Sequence, residues 1–248
     1  MPFKDHFSTH AAIYRAARPT YPDALFDWLA AQAPARGLAW DAGCGNGQAS
    51  VALAMRFARV HASDPSAPQV AEAHARTNID CRVEPAEQCS LGDASADLVT
   101  VAQALHWLDQ ARFHAEVRRV LRPRGVFAAW TYADCKVDEA VDALKDRLYL
   151  DLTGPYWPPE RVHVENGYSD LPFPYTPIAT PPFVMAAAWN VAQFLAYLRS
   201  WSATQRFLRE RGEDPVARVE AGLRAAWGDP ATLREVRWQF HVRCGRVD

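Results

Sequence analysis

Nowhere in the 248-residue chain do about 18 apolar residues run together, so a membrane-spanning helix is not expected. The start, Met1-Pro2-Phe3-Lys4-Asp5-His6, lacks the apolar core of a secretory leader. No basic run stands out. Lys+Arg number 27 against 29 Asp+Glu, the net charge is −2, and the electrostatic footprint of a nucleic-acid binder is missing. The five cysteines (Cys44, Cys81, Cys89, Cys135, Cys244) are odd in number and form no C-x-x-C pair. That argues against a disulfide frame or zinc site, and for reduced thiols in a cytoplasmic setting; no metal is expected. A phosphate-cradling Gly…Gly-Lys-Ser/Thr loop is also absent, as are internal repeats.

What is present is a composition that buries well: 49% hydrophobic, 23% charged, and long enough for one sizeable domain. Its most informative stretch is Trp40-Asp41-Ala42-Gly43-Cys44-Gly45-Asn46-Gly47-Gln48. A short apolar run, Leu38 to Trp40, ends in an acid; alternating glycines and an Ala-rich helical segment follow. The pattern reads as strand, tight turn and helix start, where glycine lets the backbone bend and approach a ligand. A dinucleotide fingerprint places glycines at i, i+2 and i+5. Here they fall at i, i+2 and i+4, with Gln48 in the third position. The stretch is either a nucleoside-cofactor loop of another kind or an ordinary glycine-rich turn.

Residues 1–21 form an aromatic arm with Tyr14, Arg15, Arg18 and Tyr21; Pro22 opens a helix whose buried face is Leu25, Trp28 and Leu29. After the glycine loop, Val51, Ala54, Met55 and Ala58 share a helix face, and Arg59 to Asp64 reads as a second strand ending in a carboxylate before Pro65. Asp64 lies 17 positions past Gly47, where an ionised carboxylate can accept both hydroxyls of a ribose; a turn-starting Asp before Pro is the plainer alternative. Gln69 to Arg76 predicts a helix, Cys81 to Val83 a third strand, Ala96 to Gln103 a strand covered on both faces, and Phe113 to Leu121 a helix. Leu121 to Gly125 is expected to turn the chain into a fifth strand, Val126 to Trp130. Strands alternating with helices indicate an α/β fold with a doubly wound, mostly parallel sheet, whose ligands sit beyond the strands' carboxyl ends. The last third differs. Residues 151–182 hold eight of the eighteen prolines, with several aromatics, and predict a packed irregular lid. Asn190 is placed to cap a helix, Asp214-Pro215 to start another, and Val236 to Cys244 alternates as an antiparallel strand.

Taken in order, Phe7-Ser8…Tyr14…Arg18-Pro19…Tyr21-Pro22, the glycine loop, Ser63-Asp64-Pro65-Ser66, Pro85-Ala86-Glu87, Asp97 through Trp107 and Val120-Leu121-Arg122-Pro123 resemble the class I S-adenosylmethionine (SAM) methyltransferases, in the branch of trans-aconitate-methyltransferase-like enzymes. The resemblance covers roughly residues 3–132. It implies a seven-stranded sheet with an antiparallel last strand, and a division into an arm and first helix (1–36), a SAM-binding core (37–132) and an acceptor-side cap (133–248). It also implies roles. Asp41, Gly43 and Gly45 would line the methionine and ribose parts of SAM, Asp64 the ribose hydroxyls, Ala86 and Glu87 the adenine, and Gln103 the methionine. Tyr14 and Arg18 would close over the amino-acid end. Arg124 stands where many members carry glycine, so a changed turn is expected there.

A sulfonium methyl is already activated, so the enzyme must align the reactants and exclude water. A carboxylate acceptor needs no base. A hydroxyl or amine would need one, and His106 is the candidate. Trp107, Trp130, Tyr132, Trp157 and Trp201 are candidates for the wall of an acceptor pocket. The expected function is methyl transfer to a small molecule, a carboxylic acid foremost, by a monomer or homodimer without nucleic-acid or membrane partners. Two rivals are a SAM-binding regulatory protein and an NAD(P)-dependent oxidoreductase. The latter is suggested by Tyr132-x-x-x-Lys136, but Tyr132 ends a strand instead of sharing a helix face with Lys136.

Overall fold

A computed structural model describes residues 18–73 and 76–247. Its centre is a mixed sheet of β1 (Leu38–Ala42), β2 (Arg59–Asp64), β3 (Ile79–Val83), β4 (Ala96–Ala102), β5 (Leu121–Lys136), β6 (Thr176–Pro177), β7 (Met185–Trp189) and β8 (Arg234–Arg246). The order is β3-β2-β1-β4-β5-β8-β6, with β7 also on β8. The first five strands run parallel and β8 runs antiparallel to β5, as the alternation of 236–244 implied.

The strand count differs from seven because the outermost lane is shared. Thr176 and Pro177 pair with Arg246 and Gly245, while Met185 to Trp189 pairs with Trp238 to Arg234 further along β8. Prolines 181 and 182 fall between the two pieces, and proline has no N–H to give a ladder.

Two faces of the sheet are covered by different helices. On one, α1 (Asp23–Gln32) and α2 (Gln48–Ala54) bury Leu25, Phe26, Leu29 and Leu53 against Ala39, Val60, Leu98, Ala128 and Trp130. Helix α3 (Ala67–Ala71), capped by the Ser66 side chain, ends well short of the helix expected through Arg76. On the other face, α4 (Gln110–Val120), capped by Asp109, buries Phe113, Val117 and Val120 against Trp40, Val99, Val101 and Phe127.

Beyond Tyr132 the sheet leaves the parallel frame and a third apolar cluster begins. Helix α5 (Glu139–Asp146) runs into a π-turn at Arg147–Leu152; the short α6 (Arg161–Glu165) follows. Then α7 (Val191–Arg199), α8 (Ser202–Arg211) and α9 (Ala217–Trp227) complete a cap over the far ends of β5 and β8. Phe194, Leu198, Leu223 and Trp227 pack with Tyr132, Cys135 and Trp238. Buried Lys145 joins α5 to β5 through Asp134 and also binds Asp146 at 2.6 Å. No helix among the described residues is long and apolar enough to cross a membrane.

Candidate active site

The carboxyl ends of β1, β2, β4 and β5 open into a cavity of about 770 Å³, roofed by the segment 149–164 and the start of α8. Its volume falls in the range of small-molecule and cofactor sites, roughly 300–1,000 Å³. At the β1 end the backbone turns through Gly43, Gly45 and Gly47 with φ of 66°, 54° and 83°, a region that side chains other than glycine's resist. A Cβ on Gly43 would lie 2.9 Å from the Ala104 methyl, so the close approach of the loop to the β4 end also requires glycine.

Asp64 ties this loop to its neighbour: its two carboxylate oxygens accept the Gly45 N–H at 2.9 Å and the Ser66 N–H at 2.8 Å. Asp64, Gly43, Gly45, Ala86, Glu87 and Gln103 all line the cavity, as does Arg18. Arg18 donates to the Tyr132 hydroxyl at 3.1 Å and to the Ser200 carbonyl at 3.1 Å, and lies over the Tyr197 ring. Gln103, at φ 57°, spans to β5, accepting from Thr131 and the Tyr132 N–H and donating to the Tyr132 carbonyl. Glu87 accepts the Asp109 N–H at 2.9 Å. Tyr14 lies outside the described residues.

Two expectations are corrected. Asp41 does not reach the cavity. It is buried beneath the loop, where Ser50 donates at 2.5 Å and Thr100 at 3.1 Å. Burial raises its pKa to about 6, against the lowering effect of those two bonds. Trp130 is likewise no pocket wall. It shares the strand face of Val126 and Ala128 and packs edge-on against Phe26 and Tyr21.

At the other end of the cavity stand His106, Trp107, Tyr132, Trp157 and Trp201, together with residues the sequence did not single out: Tyr149, Arg161 and Tyr197. Tyr149, Trp157 and Trp201 form a cluster with ring centroids 4.8–5.8 Å apart. The Arg161 guanidinium lies 4.6 Å from the Trp157 ring, and its Nε donates to the Tyr149 hydroxyl at 2.9 Å. The only signal for it was an arginine close behind Trp157 in the proline-rich segment. His106 packs on Trp107 and pairs through Nδ1 with the Tyr168 hydroxyl at 2.8 Å. Burial, then the Arg161 and His163 charges, lowers its pKa to about 3, so the imidazole is neutral.

Residues 40–129 match the methyltransferase domain family. A Dictyostelium discoideum protein provisionally named a methyltransferase is 31% identical over 229 residues, 91% of this chain and 87% of its own. A solved structure from Anaeromyxobacter dehalogenans, provisionally described as a type II methyltransferase, is 50% identical with a TM-score of 0.86, covering 92% of this chain and 97% of that one. The chain belongs to the class I SAM-dependent methyltransferases.

An uncharacterized methyltransferase of Mycobacterium tuberculosis is 40% identical over 121 residues, about half of either chain. SAM is accordingly the cofactor of this methyltransferase, and its cavity suits that group. The glycine loop turns at positive φ on the cavity wall, where its backbone can come close to a ligand. In the same loop the buried Asn46 Nδ2, at the cavity wall, has no partner among the described residues, a donor left over for a ligand.

Proposed function

We propose that this methyltransferase methylates an oxygen of a small-molecule carboxylic acid. The observation that carries the reading is the chemistry of the cavity's far end, where a neutral imidazole with a pKa of about 3 and a guanidinium stand among aromatic rings. Neither is an effective base near neutral pH, so an alcohol or amine acceptor would find little help there in losing its proton. A carboxylate needs none. When bound, SAM supplies an activated sulfonium methyl. A carboxylate oxygen would take that methyl through its own lone pair, giving an ester and S-adenosylhomocysteine with no proton to remove.

On this reading Gly43, Gly45 and Gln103 border the methionine part of SAM. Asp64 takes the ribose hydroxyls, Ala86 and Glu87 the adenine, and Arg18 the amino-acid end. Trp107, Tyr132, Trp157 and Trp201 exclude water around the acceptor. The likeness to the trans-aconitate-methyltransferase branch supports an acid acceptor, and the net charge of −2 speaks against a nucleic acid.

A screen with tritiated methyl donor against matched acids, amides and alcohols tests the reading. Label is expected in base-labile esters of acids; label confined to alcohols or amines would overturn it. Calorimetric titration with SAM tests the ribose role. Asp64→Ala is expected to weaken binding by about 1–3 kcal/mol through loss of charge-assisted hydrogen bonds. An unchanged affinity removes Asp64 from the site.

A further inference from the structure

His106 and Arg161 both line the cavity, and each is held by neighbouring side chains. For His106 the anchor is Tyr168, which is fully buried and held in an unusual backbone state: Gly167 and Tyr168 take φ of 59° and 63° in succession. A Cβ on Gly167 would stand 2.6 Å from the His241 ring, so only glycine admits that turn. The Tyr168 carbonyl accepts from Arg243, whose Nη1 also donates to the Leu171 carbonyl at 2.8 Å. These contacts fix the phenol against the imidazole. Where the phenol donates the hydrogen bond between them, Nδ1 of His106 is the acceptor. A neutral imidazole that accepts at Nδ1 carries its proton on Nε2. Nε2 makes no hydrogen bond among the described residues, and His106 lines the cavity. For Arg161, the Tyr149 hydroxyl takes Nε, the Glu165 carboxylate stands 3.7 Å from that same nitrogen, and Trp157 takes one face of the plane. Its two terminal nitrogens remain for a planar oxyanion.

We propose that His106 Nε2–H and the Arg161 guanidinium form a two-point seat for the acceptor's carboxylate, and that Tyr168 is the positioning residue that sets the imidazole to donate into it. The acceptor class rests on the function proposed above. On this view His106 is a donor to an anion and removes no proton. It assigns Arg161 and Tyr168, both beyond the reach of sequence motifs, to recognition of the acid.

Nitrogen-15 NMR of histidine-labelled protein saturated with S-adenosylhomocysteine tests this, with His106→Gln identifying the resonance. At neutral pH the expected result is a single tautomer protonated at Nε2. Tyr168→Phe is expected to give a mixture of tautomers. Acetate added at constant ionic strength is expected to shift the Nε2–H signal, with a response roughly tenfold weaker or more in Arg161→Met and partly restored in Arg161→Lys. A wild-type proton on Nδ1 overturns the proposal, and so does an acetate titration without a shift. Both readouts come from the unsubstituted protein, so they decide even where a variant does not fold. Loss of S-adenosylhomocysteine binding, followed by calorimetry, counts instead against the cofactor site.

Discussion

Asp41 shows how a residue at a motif's centre can serve the fold instead of the ligand. The folded protein holds its pKa at about 6, above the ordinary 3.8, because burial disfavours the charge. Folding therefore prefers the protonated form. The stability this contributes is complete below about pH 4 and is lost as pH rises through about 6. Between those limits the wild type is expected to lose on the order of 3 kcal/mol relative to Asp41→Asn, read from urea unfolding at a series of pH values. Parallel profiles would clear Asp41. Arg124 is a second single-residue case. Its side chain is exposed and its φ is 65°, so Arg124→Gly should raise stability by about 1 kcal/mol in the same assay. The departure from glycine noted in the sequence is thus visible as backbone strain. Sequence reasoning placed Asp64 at the cavity because it ends a parallel strand, and clefts in such sheets lie beyond the strands' carboxyl ends. It misplaced Trp130 because alternation tells which residues share a face, and not which face meets the ligand.

At the level of elements, local signals were reliable where the chain carries its own punctuation. Asn190 and Gln193 form a reciprocal capping box at the start of α7. Asn190→Ala should cost about 1 kcal/mol while leaving SAM affinity unchanged, since the cap lies away from the cavity. A change in both would mean that the cap domain and the cofactor site are coupled. In β8, Val236, Trp238 and Cys244 are buried as the period-two pattern requires. Where punctuation is missing, boundaries slipped. Helix α3 stops at Ala71 although good helix formers continue beyond it, and β5 begins at Leu121, inside the turn predicted for 121–125. The π-turn at 147–152 has no sequence signature, yet it carries Tyr149 into the roof of the cavity.

Across the whole molecule, the parallel core was legible because each strand end brings its own motif. The far wall of the cavity was legible only in part: Trp107, Tyr132, Trp157 and Trp201 were expected there, whereas Tyr149, Arg161 and Tyr197 come from separate segments that only tertiary packing unites. The same packing buries two neutral imidazoles. His106 is lowered to about 3 and His114, which pairs with the Tyr175 hydroxyl at 2.7 Å, to about 4, in both cases first by burial. Depressed histidine pKa values contribute stability above 6.5 that is lost as pH falls below it, the opposite slope to Asp41. The acid limb of the thermal unfolding midpoint should therefore be shallower in His114→Gln than in the wild type; an identical limb would exclude His114 as a source. Finally, the lane shared by β6 and β7 blunts one margin of the sheet. A broken, proline-interrupted border cannot template a foreign strand along its length. At the opposite margin, five-residue β3 displays Asp80 and Arg82, charges that discourage stacking. Resistance to fibrillar self-association is in this way built into both rims of the molecule.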